Sequence, residues 1–142
     1  MAALLLLVTL GGCDAIPRDT DGSSERIARE GVMKVAMLPG TPDAEPAAAL
    51  LRAEARRLGA RVEPAPLHGE HALRRLEQGE IDAVVGHLAK NSPWRRKVSL
   101  SKAVAADEPA DAAEPALRIA RRNGENALIL AIDRAIERQG KR

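Results

Sequence analysis

Neither phenylalanine nor tyrosine occurs in the 142 residues, and Trp94 is the single tryptophan. Without those rings the chain lacks the usual platforms on which a flat or cationic ligand stacks, so any pocket in it is aliphatic and polar. Cys13 is the only cysteine, which excludes an internal disulfide and argues against a metal site built on cysteines. Charge of one sign is also lacking: 22 Lys and Arg stand against 20 Asp and Glu, a formal +2, and the two signs are interleaved. A nucleic-acid surface needs basic residues gathered on one face, usually with stacking aromatics, so no nucleic-acid partner is expected. The apolar run Ala2 to Leu10 is too short to cross a bilayer, which takes about 20 residues. Missing as well are a nucleophile with its base, paired carboxylates in a plausible pocket and a glycine-rich phosphate loop. The reading is therefore a non-enzyme with no catalytic residues and no cofactor.

What is present fits one domain of ordinary size. The N-terminal apolar run has the length of a signal-peptide core, and Leu10-Gly11-Gly12-Cys13 follows at once. This tetrad resembles the lipobox of bacterial lipoproteins, in which the cysteine becomes the lipidated first residue of the mature chain. The resemblance implies a signal peptide over residues 1–12, lipidation at Cys13 and a membrane-anchored protein of the cell envelope facing the periplasm or exterior. No cationic segment precedes the run, and an ordinary thiol in a hydrophobic tail is the alternative. Residues 13–30 turn polar, with Pro17, Gly22 and paired serines, and read as a tether that ends in a short helical piece at Ser24 to Arg29.

From residue 31 the pattern becomes that of an α/β fold. VMKVAML is a strand stopped by Pro39-Gly40. A helix follows from Pro46, with Leu50, Leu51, Ala55 and Leu58 on one face, Arg52, Arg56 and Arg57 largely on the other, and Gly59 as its stop. Arg61 to Pro64 is a short edge strand, and a helix over about His68 to Gln78 turns Ala72, Leu73 and Leu76 inward. The apolar strand Ile81 to Val85 breaks at Gly86. A polar loop, a Pro-started basic turn from Ser92 to Lys97 and another strand complete this part. Such alternation predicts a mostly parallel sheet with helices on both faces, and right-handed crossovers bring the loops after the first and third strands to one edge. Near the C-terminus a helix over Ala127 to Arg138 stripes Leu128, Ile132, Ala135 and Ile136 for docking on the sheet.

His68 and His71 share a helix face, but no cysteine or placed carboxylate completes a ligand set, so no metal is expected. His87 stands just after the third strand, where α/β folds carry ligand loops. Ser92 suits an N-cap for the turn that follows it, and Asp82 serves loop geometry.

Taken in order, Leu58-Gly59, Leu76, Gly79, Asp82, Ser92-Pro93, Arg95 and Ser101 resemble the first lobe of the family 3 extracellular solute-binding proteins of ABC importers. The ending ALRIARRNGENALILAIDRAIERQ is similar to the strand and helix by which those proteins return to that lobe. The resemblance implies a single periplasmic-binding-protein-like lobe over residues 31–104 and 117–142. The acidic Ala/Pro linker 105–116 then stands where the family has a whole second lobe. It also implies a small-molecule solute as partner, an amino acid or other small carboxylate, and an ABC permease as a second partner. In the family a hydroxyl and a guanidinium of the Thr/Ser-Pro loop grip the ligand carboxylate, which points to Ser92 with Arg95 or Arg96, and to His87 beside them. The family's aromatic after the first strand is missing, and its F-S-x-P-Y ends here as Ala103-Val104. These departures leave an alternative: an envelope lipoprotein that binds no solute and acts through protein contacts.

Overall fold

The computed structural model describes residues 17–141, so Cys13 and the expected signal peptide lie outside the described residues. Its helices are α1 (Ser23–Glu30), α2 (Glu45–Arg57), α3 (Gly69–Glu77) and α4 (Asn126–Gly140). The strands are β1 (Val32–Met37), β2 (Arg61–Pro64), β3 (Ala83–Ala89), β4 (Val98–Leu100) and β5 (Pro115–Arg122), with a single 3-10 turn at Pro93–Arg96. They form one five-stranded sheet in the order β2-β1-β3-β5-β4. β1 pairs in parallel with β2 and β3, while β5 runs antiparallel to both β3 and β4. Four strands thus point one way and β5 alone is reversed, so the sheet is mostly parallel as expected, and mixed through that one strand.

Two cores follow from strand alternation. Met33, Val35, Ala83, Val85, Leu117 and Ile119 meet α1, α2 and α4 on one face. Ala36, Val84, Leu88, Val98 and Ala120 meet α3 on the other. The inward stripes of α2 and α4 are those of the sequence pattern, with Leu50, Leu51 and Ala55 buried in α2 and Leu128, Ile132 and Ile136 in α4. Asp82 takes the loop role, buried and accepting the Lys34 amide at 2.8 Å while it pairs with Arg26.

Three segments differ from the sequence reading. The third strand does not break at Gly86: it continues to Ala89, with Gly86 opposite Arg118 of β5. A side chain is excluded there because an added Cβ would lie 2.5 Å from Leu38 Cδ1, so the glycine marks close packing and not a stop. The linker does not hang free as a spacer, since Ala112 O accepts the Asn91 amide at 3.1 Å and Glu108 accepts the Ala103 amide at 2.9 Å.

The third correction concerns the tether, because from Asp19 onward its residues belong to the folded body. Asp19 accepts the amides of Ser24 at 2.8 Å and Leu128 at 3.0 Å, capping α1 and α4 together. Buried Glu125 accepts the amides of Asp21 at 2.9 Å and Ser23 at 2.8 Å. Three of these four contacts join residues more than a hundred positions apart, so local pattern could not show the docking. Ile27, the apolar anchor of α1, is fully buried. Ile27→Ala is expected to cost about 2–5 kcal/mol of stability, read as a lower urea midpoint; an unchanged midpoint would return this helix to the tether.

Candidate functional site

The C-terminal ends of β1 to β4 and the start of β5 share one edge of the sheet, as the pairing directions require. This is the edge at which open α/β sheets bind ligands. Here the loop after β1 meets the end of β3: His87 Nε2 lies 2.7 Å from Asp43 Oδ1. The hydrogen bond from His87 holds the exposed Asp43 carboxyl below its ordinary value.

On the β2 and β1 side of that edge lies an apolar pocket of about 410 Å³, with Met37, Leu51, Val62, Leu67 and Val85 in its wall and Arg52 and His68 among its polar residues. Met37 is 42 % exposed, the one large hydrophobic among the described residues left so open. On the β3 and β4 side lies a groove of about 600 Å³, lined by Lys90, Arg95, Ser101, Lys102, Glu108 and Arg118 among others. Four cations face one carboxylate there, a balance that favours an anionic ligand.

Of the four residues expected at the site, Arg95 alone lines this groove. Ser92 is buried, and its hydroxyl accepts the Trp94 amide at 3.3 Å, which is the capping role. Arg96 is exposed, and its carbonyl accepts from Asn123 Nδ2 at 3.5 Å. His87 is committed to Asp43, on the face of β3 that carries Ala83 and Val85. The structure therefore does not gather Ser92, Arg95, Arg96 and His87 around one point. His68 and His71 are both exposed, and among the described residues no group of three or more His, Cys, Asp and Glu could hold a metal. No helix of the described residues is long and apolar enough to cross a membrane.

Sequence reasoning missed Arg118, which is 1 % exposed. Its Nε donates to Leu88 O at 2.9 Å and its Nη1 to Ser101 O at 2.9 Å. Nη1 and Nη2 also hold Glu108, at 3.1 and 2.5 Å. An arginine within the apolar strand ALRIA was the available signal, since a strand between two cores buries a charge only with a partner.

No family model and no curated protein matches this sequence. Solved structures do. An arginine-bound point mutant of domain 1 from TmArgBP matches with a TM-score of 0.68 at 17 % identity, covering 84 % of this chain and 100 % of that one. The fold is that of one lobe of a solute-binding protein. An ancestral cationic amino acid solute-binding protein matches at 0.64, with 12 % identity over 83 % of this chain and 93 % of its own. The L-cystine solute receptor of Neisseria gonorrhoeae, unliganded and open, matches at 0.52, with 14 % identity over 82 % of this chain and 90 % of its own. Their names describe an arginine-bound domain, a solute-binding protein and a solute receptor, and none describes an enzyme.

The ion pair in the groove has a pH signature. The hydrogen bond from Arg118 draws the Glu108 carboxyl below its ordinary value of 4.5. A depressed carboxyl adds stability above the unfolded value and loses it as pH falls through the folded one. Between about pH 4.5 and more acid conditions, the wild-type chain should therefore lose melting temperature more steeply than Glu108→Gln. Parallel slopes in thermal melts would show that the pair adds nothing.

Proposed function

We propose that this domain binds an amino acid or similar small carboxylate as the receptor of an ABC importer, anchored in the cell envelope through lipid on Cys13. The observation that carries the reading is the match to domain 1 of TmArgBP over its whole length, in a crystal form that is arginine-bound. That form supports the idea that a single lobe of this fold holds an amino acid. The cationic groove is where a carboxylate fits best: Arg95 offers two parallel N–H donors to its two oxygens, with Lys90 and Lys102 adding charge. Among the described residues the groove lies open to solvent, so affinity on this reading is modest.

A calorimetric screen of amino acids and small carboxylates against the purified domain tests this. Saturable binding is expected, weakened about tenfold or more by Arg95→Ala, since a charge-assisted hydrogen bond contributes about 1.5–3 kcal/mol. Silence across the panel at millimolar ligand would sink the reading.

Anchoring has its own test. From Cys13 to Pro17 an extended chain reaches at most about 14 Å, so on this reading the lobe stays close to the bilayer. Cys13→Ser should move the protein from the membrane fraction to the soluble one. Fractionation that does not change would count against lipidation while leaving solute binding untouched.

One observation favours the alternative of an envelope protein that works through protein contacts. The most deeply buried cation of the groove, Arg118, is already paired with a carboxylate of the same chain.

A further inference from the structure

We infer that Arg118 is a second carboxylate-recognising group of the groove beside Arg95, and that Glu108 is an internal stand-in which a solute carboxylate displaces. This rests on the solute-binding reading and adds a buried residue to the site that does the gripping.

The orientation of Arg118 does not depend on Glu108. Leu88 O at the end of β3 and Ser101 O just past β4 hold its Nε and Nη1 at 2.9 Å each. These two carbonyls come from segments on either side of β5, so the guanidinium plane is fixed by backbone and its outer fork points where Glu108 now sits.

The partner is held differently. Glu108 belongs to the loop between β4 and β5, its side chain is 29 % exposed, and it lines the groove together with Arg118. The loop is tied at its ends, by Val104 N to Leu117 O at 2.9 Å and by Asn91 N to Ala112 O at 3.1 Å. Between those ties the Glu108 carboxylate makes the closing contacts, to Arg118 and to the Ala103 amide at 2.9 Å. In this stretch Ala105 adopts φ 57, the one left-handed backbone at a non-glycine among the described residues. Alanine has neither the freedom of glycine nor the polar side chain that offsets this conformation in asparagine, so the loop is strained at Ala105, three residues before Glu108.

Arg121 shows that the arrangement is not the only way to bury an arginine in β5. It is as buried as Arg118, yet it is closed by Asp133 on helix α4 at 2.5 Å and by Ser99 Oγ at 3.0 Å. One buried guanidinium is locked by a helix, and the other is closed by a strained loop that opens on a groove.

Exchange of one carboxylate for another leaves Arg118 paired throughout, so the swap avoids the large penalty of an unpaired buried charge. The ligand class follows. It carries a carboxylate for the Arg118 fork, and a second acidic group suits it further. Lys90 and Arg95 line the same groove, and among the described residues neither is in a side-chain ion pair. Small dicarboxylates, including the acidic amino acids, are therefore preferred over monocarboxylates and neutral solutes.

Calorimetry with succinate and L-glutamate on wild type and Glu108→Gln is the direct experiment. Glutamine keeps the shape but not the charge, so the variant should bind both ligands at least tenfold more tightly than wild type. Equal affinities would overturn the displacement. If Arg95-dependent binding persists while Glu108→Gln changes nothing, the solute-binding reading stands and this inference falls; if no protein binds any ligand, both fall. Should the variant not fold, hydrogen exchange of the wild-type chain decides. Saturating succinate should speed exchange of the Ala103 amide, which Glu108 now accepts at 2.9 Å, and unchanged or slower exchange overturns the proposal.

Discussion

The reversed strand β5, threaded between β3 and β4, sets the terms for everything around it. It buries two guanidinium groups, Arg118 on the α3 face and Arg121 on the α4 face. Leaving either without a partner would cost about 3–5 kcal/mol, a large share of the stability of a domain this size. Residues that look unrelated in sequence are therefore recruited to one task. Ser99 and Asp133 serve Arg121, while Leu88 O, Ser101 O and Glu108 serve Arg118. Even the Ser101 hydroxyl is spent on the strand, accepting the Ile119 amide at 2.9 Å.

The same strand explains which parts of the fold were legible. Periodicity reports burial along one element, so the stripe of Leu128, Ile132 and Ile136 and the alternating faces of β1 could be read directly. Pairing between distant segments leaves no such mark. The reversal of β5 rests on its pairing with β3 and β4, and the docking of α1 through Asp19 and Glu125 on contacts more than a hundred residues apart. Gly86 misled for a related reason: a glycine demanded by Leu38 packing across the sheet looks, in one dimension, the same as a glycine that ends a strand.

The site was half legible. Chemistry-bearing residue types in a loop after β3 pointed to the edge at the C-terminal ends of β1 to β4, where Arg95 lines the cationic groove. Side-chain direction was not readable. Ser92 turned inward to cap the turn at Trp94, and His87 went to Asp43 on the other face from Leu88. Arg118 escaped notice because its significance depends on a carboxylate in a loop that composition describes as a spacer.

That loop ties the structural and functional arguments together. A conventional cleft gains its grip on a ligand when a second body excludes water and completes the contacts. In this chain β4 leads to β5 through a single loop, and the loop itself supplies the acid that completes Arg118. An acid placed there satisfies the folding requirement of β5. On the proposed reading, folding and recognition compete for one guanidinium, and the balance between them is set by how firmly the loop holds one carboxylate.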